Sequence, residues 1–248
     1  MPFWIRISAI TALLATLALA GNATGQTAVA PEEALKRAVA AEDKLKAAER
    51  DYSYRQEITV QMFGEANSVV AQMRRVSQLT YDDLGNRVER IIEFPPSRLT
   101  AMIGVMKPDF KTLIGVDPFL LTSDAVARYS IKFVERQKID ELNTYLFSVE
   151  PAAQRNAKHK EGEPFPFKGR IWIDDQDFQV VKVEGRAITV KDDKERFPKF
   201  EYYRENVDGH LWMPSFVYGR DVLEFPRYDI PILVEIKYSQ YKKASSRR

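Results

Sequence analysis

Two histidines, no cysteine and two clusters of aspartate are the residues best suited to chemistry in this chain. Without cysteine, thiol nucleophiles, redox pairs and cysteine-based zinc sites are excluded. His159 stands in a charged stretch and His210 beside a turn signal, so their spacing gives them no common site. A histidine zinc site wants three or four nitrogen or sulfur ligands. Asp174, Asp175 and Asp177 lie close together, as do Asp192 and Asp193. Hard oxygen ligands at such spacing suit Ca²⁺, but no glycine marks the sharp turn and no glutamate closes the loop. Aspartate is also what hairpin turns select, because its side chain bonds nearby backbone and tolerates the left-handed region. The reading favours turns. A glycosidase needs two carboxylates facing each other across a cleft, and nothing picks such a pair from 35 acids. There is no glycine-rich phosphate loop, no Gly-x-Ser-x-Gly elbow and no His-Glu-x-x-His motif. Together these absences point away from an enzyme, and no cofactor or metal is expected.

What remains is apolar surface. Met62, Met73, Trp172, Phe178, Trp212, Phe216 and Tyr218 all fall in stretches that read as strands. Some strands, such as residues 179–190, are apolar on both faces. Core packing is one explanation for that second face. A half-open barrel with an apolar concave face is the other, and methionine suits the lining because it repacks around varied guests.

The elements that would position these side chains are legible from periodicity. Pro31, Glu32 and Glu33 open a helix, with proline at its first position and acids near its positive end. Leu35, Ala38, Leu45 and Ala48 mark one buried stripe, and the narrow, alanine-rich stripe suits a helix lying on a sheet. The opposite face carries Lys36, Arg37, Glu42, Asp43 and Lys46 and is expected in solvent. From residue 52 the period changes to two. Strands are expected over 52–62, 69–81, 87–94, 129–136, 143–150, 168–174, 178–190, 199–207, 210–221 and 230–241. Asp208-Gly209 is a two-residue hairpin signal. In the last strand Ile232, Val234, Ile236 and Tyr238 face inward.

Residues 97–127 break the pattern. Leu99, Met102, Ile103 and Met106 recur at helical spacing, Pro108-Asp109 opens a second short helix with Phe110, Leu113 and Ile114, and Ser123-Asp124 starts another turn. This segment would plug or cover the barrel.

The first residues resemble a secretory signal. Arg6 precedes an apolar run of about 14 residues, shorter than the ~20 a spanning helix needs, and Ala18-Leu19-Ala20 fits signal peptidase. The expected organisation is a signal peptide over 1–20, a linker over 21–30, one domain over 31–242 and a basic tail over 243–248, in the periplasm. With 37 basic and 35 acidic residues the chain is nearly neutral, which argues against nucleic acid. The tail leaves transient contact with an anionic membrane surface open. The expected fold class is mainly β (α+β): a large curved antiparallel sheet or half-open β-barrel with an N-terminal helix and a short helical lid insertion.

The segment Gly169-Arg170-Ile171-Trp172-Ile173-Asp174, followed by Phe178-Gln179-Val180-Val181-Lys182-Val183-Glu184-Gly185, resembles the strand–turn–strand of the LolA-like superfamily of periplasmic lipoprotein carriers. The signal peptide, the N-terminal helix, the long β run and the helical insertion after three strands add to the resemblance, which spans most of residues 31–241. Asp208-Gly209-His210-Leu211-Trp212 has the form of a carrier motif but comes too late in the chain to be equated with it, and no lid arginine is matched. The resemblance implies a half-open barrel that accepts acyl chains under a movable helical lid. The candidate cavity and lid residues are Met62, Met102, Ile103, Met106, Phe110, Leu113, Phe119, Trp172, Trp212 and Phe216. The partners it implies are lipid or lipoprotein acyl chains. The superfamily also includes envelope-stress sensors, so an envelope protein-interaction role without lipid transport is the alternative.

Overall fold

A computed structural model describes residues 29–99, 116–152, 165–188, 197–225 and 228–244. Helix α1 (Pro31–Ala48) has proline in its first turn with Glu32 and Glu33, and passes through a 3₁₀ turn (Glu49–Asp51) into the first strand. The strands are β1 (Tyr52–Phe63), β2 (Val69–Tyr81), β3 (Arg87–Glu93), β4 (Tyr129–Ile139), β5 (Leu142–Pro151), β6 (Phe167–Asp174), β7 (Val180–Ala187), β8 (Phe200–Val207), β9 (Leu211–Phe225) and β10 (Tyr228–Lys243). A single turn of helix, α2 (Ser123–Val126), precedes β4.

All ten strands form one sheet in the order β3-β2-β1-β10-β9-β8-β7-β6-β5-β4. Every neighbouring pair is antiparallel. The sheet does not close. Strands β3 and β4 are its two edges, and residues 94–128 carry the chain from one edge to the other. The result is a curved, half-open barrel.

Alternation assigns each side chain to a face. In β1 buried and half-buried residues alternate without a break. Ile58, Val60 and Met62 stand opposite Ile236, Val234 and Ile232 of β10, and Val60 stands opposite Met73 of β2. This concave face continues through Val217, Tyr202, Val183, Ile171 and Tyr145, in one buried cluster with Ala34 and Ala38 of α1. The alanines let the helix lie close. Leu99, Val116, Leu120 and Leu121 of the crossing segment join the same cluster.

Two glycines face each other at the centre of the β6–β7 pair. The Phe167 ring lies over both, and a Cβ added to Gly169 would fall 2.0 Å from the Glu184 carbonyl oxygen. At the β8–β9 turn Asp208 (φ 54) and Gly209 (φ 78) both occupy the left-handed region, as a two-residue primed turn requires.

One expectation for α1 is corrected. Glu42, read as part of the solvated face, is 1% exposed, while Leu35 is only partly buried. Its partner is 162 residues away in sequence, so helical periodicity carried no trace of it.

Candidate functional site

Helix α1 and the described residues of the crossing segment pack on the concave face, and both meet the sheet at Arg204. This β8 residue points inward, as does Tyr202 two positions earlier. Its guanidinium makes a bidentate pair with Glu42 of α1: Nη1 donates to Oε1, and Nη2 to Oε2 at 3.0 Å. Nη2 also donates to the Pro118 carbonyl at 3.0 Å, Nη1 to the Val180 carbonyl at 3.5 Å and Nε to the Tyr202 hydroxyl at 3.2 Å. All five N–H donors of the fork are therefore used. The guanidinium lies over the Phe119 ring at 5.9 Å and the Tyr202 ring at 5.4 Å. Burial alone would lower the Arg204 pKa; the Glu42 carboxylate and Tyr202 outweigh it and raise the value. The cation is permanent, and it ties helix, sheet and crossing segment together.

Below this node lies a group of tyrosines around Glu49. The Tyr54 hydroxyl donates to Glu49 Oε1 at 3.2 Å, and the Tyr54 ring packs against Tyr241 and Tyr238. Burial raises the Glu49 pKa, against the opposing hydrogen bonds from Tyr81 and Tyr54. Burial likewise raises Tyr54, Tyr238 and Tyr241 well above their ordinary value, and Tyr202 to about 12. These phenols stay neutral and serve as packing and donors.

No family model and no curated protein matches the chain. Solved structures do. A LolA superfamily protein from Nitrosomonas europaea matches with 14% identity over 88% of this chain and 95% of its own, at TM-score 0.45. A DUF1329 family protein from Desulfovibrio piger matches with 12% identity over 88% of this chain and 94% of its own, at TM-score 0.46. A putative outer membrane lipoprotein-sorting protein domain from Vibrio parahaemolyticus matches with 11% identity over 86% and 95%, at TM-score 0.38. At such identities and scores the activity of this chain has to be argued from its own residues.

Of the ten residues nominated from sequence, the five that are described do not gather in one place. Met62 faces the concave core. Phe119 is buried with Leu45, Tyr52 and Met213 at the foot of the interior, beneath Arg204. Trp172, Trp212 and Phe216 lie on the other face of the sheet. Trp172 alternates with Ile171 and Ile173, which face α1, and packs instead with Leu146, Val181 and Trp212. Its indole N–H donates to Gln137 at 2.8 Å, and that of Trp212 to Asp177 at 2.6 Å. Phe216 adjoins Val217 of the concave cluster and stands opposite Tyr203 and Lys237. Met102, Ile103, Met106, Phe110 and Leu113 lie outside the described residues, as do His159, Asp192, Asp193 and the signal segment.

The aspartates of the β6–β7 turn hold backbone. Asp174 Oδ2 accepts from the N–H groups of Gln176 and Asp177 at 3.0 and 3.1 Å. His210 places Nδ1 2.7 Å from the Asp208 carbonyl oxygen. Among the described residues no three histidines or acids converge as a metal site would require.

Sequence reasoning missed Arg204, Glu42 and Pro118. An arginine at an inward position of a strand, in register with Tyr202, is the one signal that pointed to a buried charge.

Proposed function

We propose that this chain is a periplasmic carrier or binder of lipid, or of the acyl chains of a lipoprotein. The reading rests on one observation. A continuous apolar concave face is covered by separate elements, and the buried charged node at Arg204 joins that cover to the sheet. Apolar interlock alone would make the cover part of the core. In this reading the directional polar bonds of the node are the point at which the cover is fastened and from which it is released. On release, Leu120, Leu121, Phe119 and the alanine face of α1 would give up apolar surface that acyl chains re-cover, at roughly 25 cal/mol per Å². Binding would be non-covalent and without a cofactor. The leader-like segment ending at Ala20 supports a periplasmic location.

Native mass spectrometry of the purified chain, after exposure to a bacterial lipid extract, tests this. A stoichiometric adduct of lipid mass is the expected result. A clean apo mass, under conditions that load a known carrier, overturns it.

A second reading has its own support. Val88, Ile91 and Ile92 in β3, and Phe133 and Val134 in β4, are between 41% and 49% exposed, all on the two open edges. Exposed apolar edge strands are templates for an added strand. An envelope protein that pairs with an edge would use the same fold without lipid transport.

A further inference from the structure

A cavity of about 600 Å³ lies at the foot of the half-barrel, between the second half of α1, the β6–β7 and β8–β9 turns and the end of β10. Its helix wall is short-chained: Ala40, Ala41 and Ala48 leave the space that longer residues would fill. Its floor includes Tyr52 and Leu211, which pack with Leu45, Phe119 and Met213 at the foot of the interior. Arg37, Lys44, Lys243 and His210 border it, against Asp51 and Asp177.

The walls are fixed by bonds between separate elements. Gln179, 8% exposed, donates to the His210 carbonyl at 2.8 Å and accepts from the Trp212 N–H at 3.1 Å, joining the two turns. The Tyr52 hydroxyl donates to Asp208 at 2.8 Å. The Ala244 N–H donates to the Asp51 carbonyl at 2.7 Å, which holds the end of β10, and with it Lys243, against the helix foot. The cavity is thus a built space between five segments of chain.

Its charge is unevenly spent. The Asp177 carboxylate already accepts from the Trp212 indole N–H at 2.6 Å and the Gln179 N–H at 3.3 Å. Arg37 is paired with Glu33 and lies over Phe178. Lys44 and Lys243 make no ion pair among the described residues, and they flank the opening from two different elements. Of the acids, Asp51 alone is left to oppose them.

We infer that this cavity takes an anionic phosphate or phosphodiester group, held between Lys44 and Lys243. Resting on the carrier reading, the inference places the headgroup of a bound anionic lipid at the foot of α1, where the apolar cluster of Tyr52, Leu211 and Phe119 adjoins the interior. A lysine is a point charge suited to phosphate, and its pull on an exposed site weakens as salt rises.

The test compares uptake of phosphatidylglycerol with uptake of diacylglycerol carrying the same acyl chains, by native mass spectrometry, in the full chain and in Lys44→Glu/Lys243→Glu. Both lysines are exposed, so the variant keeps the fold. The expected result is a preference of about tenfold for phosphatidylglycerol, corresponding to about 1.4 kcal/mol. It is lost in the variant and reduced at high salt, while diacylglycerol uptake is unchanged. Diacylglycerol uptake with no preference, or a preference that survives the variant, overturns the headgroup site and leaves the carrier reading standing. If neither lipid loads, the carrier reading falls. Titration with inorganic phosphate, followed by amide shifts of Ala40, Ala41 and His210, then separates the sources: variant-sensitive shifts without a phosphatidylglycerol preference assign the site to a free anion, and neither shifts nor preference overturns the inference altogether.

Discussion

Arg204 and Glu42 each sit where a lone charge could not survive. Both side chains are 1% exposed, and each is the other's neutralising partner. Removing one leaves an uncompensated buried charge, which typically costs about 3–5 kcal/mol, whereas replacing both by apolar groups is often neutral or better. Arg204→Met and Glu42→Leu should therefore each lower unfolding free energy by about that amount in denaturant titrations, and the double variant should recover most of the loss. A double variant as unstable as the sum of the singles would mean that the bonds to Pro118 and Val180, not the ion pair, carry the node. The pairing of these two residues was not legible in the sequence. Glu42 stands among Lys36, Arg37, Asp43 and Lys46, so its helix position looked solvated, and only the sheet's curvature brings Arg204 over it. The tryptophans failed for another reason. Strands apolar on both faces do not declare which parity is inward, and Trp172 has isoleucines on either side that take the core.

The elements themselves were legible. Period-two alternation, the Asp208-Gly209 turn and the switch from helix to strand near residue 50 place α1 and every strand within a few residues of where they form. Alternation is a local property, and this sheet is a near-sequential antiparallel meander in which most strands pair with their chain neighbours. What local pattern does not give is the join between elements, and Glu49 sits at one such join, between α1 and β1. Its carboxyl is pushed up by burial. A carboxyl whose folded pKa lies above its unfolded value binds protons more tightly in the native state, so it favours folding at low pH, and that contribution is lost as pH rises from about 4.5 through the raised value. Glu49→Gln mimics the protonated form. The variant should match the parent in stability below pH 4.5 and exceed it at neutral pH. A stability difference constant across that range would mean that the hydrogen bonds from Tyr54 and Tyr81 already cancel the cost of burial.

At the scale of the whole molecule, the sheet's two edges never meet, and the chain must cross the gap between them. The crossing segment is thus a connection, and its described residues Leu99, Val116, Leu120 and Leu121 also cover part of the concave face. Two of its polar fastenings lie among the described residues. One is the Pro118 carbonyl on Arg204, and the other is the Ser123 N–H, which donates to Asp43 of α1 at 3.0 Å. If loading requires the cover to part from the helix, a covalent link at the second point will stop it. The chain has no cysteine, so an Asp43→Cys/Ser123→Cys pair would be its sole thiols, at two positions already joined by a side-chain-to-backbone hydrogen bond. The oxidised protein should exclude lipid, the reduced protein should load like either single variant, and adding reductant to the oxidised form should restore uptake. Lipid entering the oxidised form at the parental rate would locate the entrance elsewhere, at the open edge beside β3 or β4, where Ile91 and Phe133 already stand exposed. The crossing segment would then be a fixed part of the core, and the apolar edges would become the surface through which this fold meets its client.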